Sequence, residues 1–519
     1  MDADVIVIGA GHNGLVAAAY LARAGYRTIV LEARPSVGGC ASTVTALGEQ
    51  FMDARFNICN CDHGVIRTSP LIEELRLVEH GLHYLDVEPA QLNVHWDGGP
   101  PWANFHDIDR TIDGLAATYP GEVDGYRRYL KAALPVVDLV LAMAGQVPTP
   151  TNAFKTAGIG HAKAVATMLK WGRMSVQDVL RSFFAAEQVV APAVTTGPAV
   201  WGLSPRTPGT GLGAIGYALK HRARIGRPVG GSGALPAALA SVITTAGGEI
   251  RTGASVVAIG CEGERVRSVT LADGTVLEAP RVVSACDPHS TFVQWLTNPP
   301  ASAASLVRRW RDKGVHDGYE SKVDAVISEL PRLDAFDHPS IAALGIDPNT
   351  PTTIISPSLD DVHRAHGLMA SGRIAQRPML FMNTPSVLDP SMEPSADTHV
   401  FSLEVLYTPY AFTGGWDDQR EPRRWIEQFA SLAQPGWIDS VGAWRAMTPS
   451  AYESDFNMPR GYATSFAGTP LTALLGKDPE LTRYRTPIRG LYLTGAATYP
   501  GAGVWGASGR NVAHVVLSD

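Results

Sequence analysis

Gly9, Gly11 and Gly14 stand in the spacing G-x-G-x-x-G, with His12 and Asn13 between the last two. The first glycine permits a tight turn, the second lets backbone approach a pyrophosphate, and the third lets a helix pack close to the preceding strand. The helix amino terminus then stabilises the phosphate charge. Glu32 follows at close to the expected distance of about 20 residues, where its carboxylate can accept hydrogen bonds from an adenosine ribose and disfavours a 2′-phosphate. Near the other end of the chain, Gly495, Gly501, Gly503, Gly506 and Gly509 clear side chains from a strand-to-helix turn, which implies a bulky ligand held close to backbone.

Acid–base candidates are sparser. The segment from Phe51 to His63 ends in Asp62 and His63, which could abstract or relay a proton, although a histidine beside an aspartate also reads as a structural hydrogen-bonded pair. Tyr499 and Trp505 flank the carboxyl-terminal glycines and are candidate walls of a substrate site, and His12 reads as an aid to turn geometry. Cys40, Cys59, Cys61, Cys261 and Cys286 contain no C-x-x-C pair. Cys59 and Cys61, even with His63 nearby, lack the further ligands a metal site needs, so no metal is expected.

The elements that must position these residues are legible at both ends. Asp4 to Ile8 reads as a buried parallel strand, LVAAAYLARAG as a helix stopping at Gly25, and Thr28 to Leu31 as a second strand. The segment from Pro228 to Ala246 reads as a glycine turn and a helix, followed by three β-rich runs that form an antiparallel meander. Arg281 to Ala285 returns to the parallel sheet, and Leu491 to Thr494 is a last buried strand. This is an α/β fold with a Rossmann-type dinucleotide-binding domain over 1–85, 229–295 and 480–519. An interwoven α+β substrate domain takes 86–228 and 296–479, where the Pro-rich run from Pro331 to Pro385 reads as irregular connections. Apolar helical spacing in SVQDVLRSFFAAEQVVAPAV marks core packing, and the run from Ala132 to Met143 a core helix or interfacial patch.

Composition supports a folded enzyme and excludes some partners. The chain has 519 residues, 45% apolar and 18% charged, and is long enough for more than one structural unit. A net charge of -7 argues against nucleic acid as a partner. Asp2 and Asp4 make the start a poor secretory signal, and no apolar run approaches the 20 or so residues of a membrane span. A cytoplasmic protein, with room for peripheral membrane contact, is the expectation.

The run Glu32-Ala33-Arg34-Pro35-Ser36-Val37-Gly38-Gly39 resembles the E-x-R-x-x-x-G-G extension of the glutathione-reductase and amine-oxidase type flavoproteins, which implies FAD as the tightly held cofactor. Together with PVGGSGALPAALA and GLYLTGAATYPGAGVWGASGRN, it resembles the phytoene-desaturase-like flavoproteins, the branch that includes pyridine nucleotide-disulfide oxidoreductase domain-containing protein 2. Carried over from that resemblance, Gly9, Gly11, Gly14, Glu32, Arg34, Gly38, Gly39, Val257, Gly495, Ala496, Val504 and Trp505 would touch FAD, with His12, Asn13 and Ala33 beside them. Many relatives carry an acid where this chain has Ala496, so a contact there must come from backbone. The resemblance implies a dehydrogenase or desaturase that passes hydride from a lipophilic or natural-product substrate to flavin N5. A flavin-dependent non-redox isomerase and a flavin-binding interaction protein are its alternatives.

Overall fold

The computed structural model describes residues 1–45, 47–59, 61–156, 158–195, 201–462 and 478–519. Strand β1 (Val5–Ile8) and strand β2 (Thr28–Leu31), both wholly buried, are joined by helix α1 (His12–Arg23) and lie in parallel register, Ile6 opposite Ile29. Continuous apolar runs of Val and Ile suit this position, because the sheet is covered on both faces. Its five parallel strands run in the order Leu491–Leu493, Val282–Ser284, β1, β2, Glu249–Arg251, so three distant stretches of chain supply one sheet. The core on the α1 face includes Leu15, Leu239 and Val512, drawn from α1 and the helices Ala234–Thr245 and Ala507–Leu517. On the other face lies an antiparallel meander of Val256–Glu262, Arg265–Leu271 and Val276–Glu278.

The segments with no dinucleotide signature build a seven-stranded sheet of their own. Its order is Val441–Met447, Glu320–Ile327, His399–Leu406, Leu380–Asn383, Thr353–Ser356, Gln91–His95, Trp102–Asn104, antiparallel except where Thr353–Ser356 runs parallel to Gln91–His95. One face buries Val323, Ala325 and Leu403 against Trp425, Phe429 and Trp437. The alternate residues Glu320, Lys322 and Asp324 must therefore project from the opposite face. The stretch from Pro331 to Pro385 corrects the expectation of irregular connections: it contains Thr353–Ser356, Leu380–Asn383 and the helix Leu359–Ala370. Its strands are only four residues long, too short to show alternation, and it is tertiary burial that makes them strands.

Ala132 to Met143 lies inside the helix Val123–Ala144, where Ala133, Val136, Val137 and Leu139 are buried in a core with Val176, Val179 and Leu180. The chain crosses between the two sheets near residues 86 and 228, and the crossings pair with each other as Tyr84–Asp86 against Gly226–Pro228. Among the described residues, no helix is long and apolar enough to cross a membrane.

Candidate cofactor and active site

A cleft of about 890 Å³ opens at the carboxyl ends of the parallel strands, where ligands of open α/β sheets lie. Its floor is the turn between β1 and α1. Gly9 has φ +94° and donates its N–H to the Leu31 carbonyl at 2.7 Å, a conformation that favours glycine. At Gly14 a Cβ would stand 2.1 Å from the Gly9 carbonyl oxygen, so protein packing alone demands glycine there. Gly11 differs: a Cβ would meet nothing within 4 Å, and the residue faces the cleft. Gly11 keeps space open for a ligand rather than for the protein.

Side-chain chemistry around this turn suits a phosphorylated, nucleoside-bearing molecule. Glu32, 8% exposed, accepts the N–H groups of Ala10 at 2.8 Å and Arg34 at 2.9 Å, which fixes its carboxylate at the end of β2. Arg34 lies 4.0 Å over the Phe456 ring, and its buried Nη1 has no partner among the described residues. Burial lowers its pKa, with Glu32 and Asp455 only partly countering. Asn13, 5% exposed, leaves Oδ1 unpartnered on the same wall, and so does His12 with Nε2. Burial pushes the His12 pKa down to about 4, so its imidazole is neutral at pH 7. These orphaned atoms, and the open space at Gly11, fit the pyrophosphate and sugars of FAD.

Of the residues expected at the cofactor, Gly9, Gly11, His12, Asn13, Gly14, Glu32, Ala33, Arg34, Gly38, Gly39, Gly495, Ala496 and Val504 line this one cleft. Val257 and Trp505 do not. Val256 lines the cleft in the meander while Val257, expected to approach through its backbone, is 47% exposed, and Trp505 turns its Nε1 to the Ala502 carbonyl at 3.0 Å. Gly495, at φ +104°, sits 2.9 Å by its absent Cβ from the Ala285 carbonyl oxygen. Ser508 secures that turn through Thr494 at 2.6 Å and the Gly495 N–H at 3.3 Å.

The acid–base candidates separate. Asp62 reaches the cleft wall but is held by Arg227 Nε at 2.7 Å and by the Thr352 hydroxyl at 2.5 Å. Burial alone would raise its pKa, but the adjacent guanidinium outweighs that and holds the carboxyl below its usual range. His63 lies beneath the wall, 1% exposed, between Tyr84 OH at 3.0 Å and Ser232 Oγ at 3.2 Å. Tyr499 is buried outside the wall, its carbonyl accepting the Tyr484 hydroxyl at 2.7 Å.

Lys220, Glu320 and Glu404 are among the polar wall residues that the sequence motifs did not mark. Burial pushes Lys220 down to about 8, with Asp62 partly countering. Burial also raises Glu320 well above the carboxylate range and pushes Glu404 up to about 7, with Lys322 pulling the latter back. A signal was present in Glu320-Ser-Lys-Val-Asp-Ala-Val-Ile, where Glu320, Lys322 and Asp324 put a charge at every second residue of an otherwise β-forming run.

The flavin-containing amine oxidoreductase family model matches residues 14–312, more than half of the chain. The chain belongs to that family. It is an FAD-dependent oxidoreductase. It is 30% identical to mouse pyridine nucleotide-disulfide oxidoreductase domain-containing protein 2, over 99% of this chain and 93% of that one. It is 26% identical to the lycopene-forming phytoene desaturase of a Paracoccus strain, over 99% and 97% of the two chains. Cyclohexylamine oxidase from Brevibacterium oxydans shares the fold, with a TM-score of 0.58, 16% identity, and 100% and 99% of the two chains covered. Members of the phytoene-desaturase branch thus match this oxidoreductase from end to end, in keeping with the resemblance of its glycine motifs.

Two expected results follow from this geometry. Arg34→Ala removes a buried guanidinium whose Nη1 lacks a hydrogen-bond partner, so it should weaken FAD binding by about 10–100-fold, the worth of a hydrogen bond to a charged group. The FAD-free protein should be as stable as wild type or more so; flavin-fluorescence titration and thermal unfolding read the two effects. His63 acts on stability. Burial lowers its pKa to about 3, so the unfolded chain takes up a proton below about pH 6.5 that the folded protein refuses. That stability is complete above pH 6.5 and is lost as pH falls towards 3. Between pH 7 and pH 5 the wild type should lose about 2 kcal/mol more than His63→Gln, measured by denaturant unfolding at each pH.

Proposed function

We propose that this oxidoreductase dehydrogenates a lipophilic or natural-product substrate, converting a C–C bond to C=C. The observation that carries the reading is the wall beyond the dinucleotide turn, where Trp201, Phe381, Tyr319, Tyr452, Phe456 and Met458 face one continuous cleft with Gly11 and Gly495. Such a lining suits an apolar, rigid body with few hydrogen-bonding groups. The desaturase named among its relatives supports the same substrate class. When bound, FAD supplies the oxidising chemistry, taking hydride at N5.

The protein's own part is to bind, orient and exclude water. The aromatic wall fixes which C–H bond is presented and keeps solvent from the reacting carbons. The Asp62–Arg227 pair holds the wall in place where the chain crosses between sheets, and His63 braces it from beneath as a neutral hydrogen-bonding group. Asp62 and His63 are positioning residues in this account, and Tyr499 supports the carboxyl-terminal turn through its carbonyl.

The test is anaerobic mixing of the FAD-loaded protein with phytoene, with cyclohexylamine, and with a panel of terpenoid and fatty compounds. The expected result is bleaching of the flavin absorbance by an apolar compound, together with a product that has lost two hydrogens. Bleaching by the amine alone would overturn the substrate class. Conversion to an isomer without net oxidation would overturn the dehydrogenase reading in favour of an isomerase.

A further inference from the structure

Glu320 and Glu404 come from neighbouring antiparallel strands of the seven-stranded sheet. Glu404 stands opposite Lys322 and Glu320 opposite Leu406, which makes the two glutamates a diagonal pair on one face, about 7–8 Å apart at the backbone. Both line the cleft, and no described residue hydrogen-bonds or ion-pairs with either carboxylate. Behind them runs a buried row of charge. Lys322 (3% exposed) pairs with Asp324 (0%) at 2.6 Å and donates to the Asn57 carbonyl, and Arg445 reaches Asp324 at 2.9 Å.

The row holds two cations, Lys322 and Arg445, and three carboxylates, Asp324, Glu404 and Glu320. One excess negative charge in a low-dielectric interior is costly, and the cheapest remedy is a proton on whichever carboxylates lack partners. Asp324 has two cations and the Ser402 hydroxyl at 2.6 Å, so the proton belongs to the glutamates. Among the other titratable groups of the cleft, Cys59, Tyr319 and Tyr452 are within electrostatic reach of the pair, with Cys40 and Tyr462 beside them. None of these side chains is a cation in either protonation state, so they supply no further positive charge.

We infer that Glu320 and Glu404 hold one shared proton between them and form the proton acceptor of the cleft. This rests on the dehydrogenase reading above. In the balanced step, one substrate C–H bond breaks with its electron pair passing as hydride to FAD, the family's oxidant. The neighbouring C–H bond breaks with its proton passing to the ionised member of the pair, and its electrons form the new C=C bond. The substrate is oxidised by two electrons, FAD is reduced by two, and the second proton later leaves to solvent.

The test uses the FAD-loaded protein, its Glu320→Gln and Glu404→Gln variants, and infrared difference titration from pH 5 to pH 9, with no substrate. The wild type should show a carboxylic-acid band that fades with a midpoint near pH 7, the range to which burial pushes Glu404. Glu404→Gln should abolish that titration and Glu320→Gln should move its midpoint by about one pH unit or more, the sign of a shared proton; an unmoved midpoint in Glu320→Gln would contradict the sharing. No titrating acid band, or one that persists in both variants, would overturn the inference. With a compound that bleaches the flavin, Glu404→Gln should slow bleaching by about 100-fold or more and remove the limb near pH 7; an unchanged rate and limb would overturn the acceptor role. Because the titration needs no turnover, a shared proton found in a protein that no compound bleaches contradicts the dehydrogenase reading and leaves the pair standing.

Discussion

Arg227→Met is expected to destabilise the FAD-free protein by about 3–5 kcal/mol, the usual cost of leaving one buried charge without its partner. Arg227 is 2% exposed, and its partner Asp62, held at 2.7 Å, is 9% exposed at the cleft wall, too little for water to replace the guanidinium. The pair joins three parts of the chain: the segment before His63, the crossing strand Gly226–Pro228, and Thr352 at the start of a strand in the seven-stranded sheet. Its loss should therefore loosen the join between the two sheets. The effect has a pH signature. In the wild type the guanidinium keeps the Asp62 pKa below its unfolded value, so the pair's contribution is present above about pH 4 and is lost as pH falls further. In Arg227→Met, burial raises that pKa instead, and the deficit should shrink from pH 7 towards pH 4 as Asp62 takes a proton. The double variant Asp62→Leu/Arg227→Met removes both charges and should be more stable than the single Arg227 variant. Denaturant unfolding at pH 7 and pH 4.5 checks both points; a double variant as unstable as the sum of its singles would contradict them.

Gly11→Val and Gly14→Ala should fail in opposite ways. A Cβ at Gly11 meets nothing of the protein within 4 Å, so Gly11→Val should fold with stability close to wild type and lose at least about 100-fold in FAD affinity, since its branches occupy space where backbone should meet pyrophosphate. A Cβ at Gly14 stands 2.1 Å from the Gly9 carbonyl oxygen and 2.9 Å from the Ala285 Cβ, so even Gly14→Ala must displace α1 from the sheet. Overpacking of that kind costs about 1–3 kcal/mol or more. Thermal unfolding without FAD and fluorescence titration with it separate the two; if Gly11→Val bound FAD normally, the turn would not be where the phosphates lie.

The glycine-bearing ends were legible because their constraint is local. Val5–Ile8, Thr28–Leu31 and Leu491–Leu493 fall within one residue of their expected bounds, since a short apolar run between glycines has few other ways to fold. The meander and the return strand Val282–Ser284 were legible for the same reason, each ending in a turn sequence of its own. Val256 rather than Val257 lines the cleft, a shift of one residue at a point where the register of the strand is irregular. The seven-stranded sheet was not legible. It brings Gln91–His95 beside Thr353–Ser356, a pairing across some 260 residues that no local pattern announces. The glutamate pair was hidden by the same distance: Glu320 and Glu404 become neighbours only when two strands pair, and a lone Glu in a strand reads as a solvated face. Asp62 and His63 were found by adjacency in sequence, yet the partners that decide what they do, Arg227 and Ser232, lie more than 160 residues away.

The most direct test of the account is the position of FAD itself, read from a structure of the protein purified with the cofactor bound. The predicted result is density along one cleft, between the Gly9–Gly14 turn, the Glu32 and Arg34 side chains and the Gly495–Val504 turn, with the isoalloxazine facing the chamber that Glu320 and Glu404 border. FAD bound elsewhere on the chain, or a folded protein that takes up none, would contradict it.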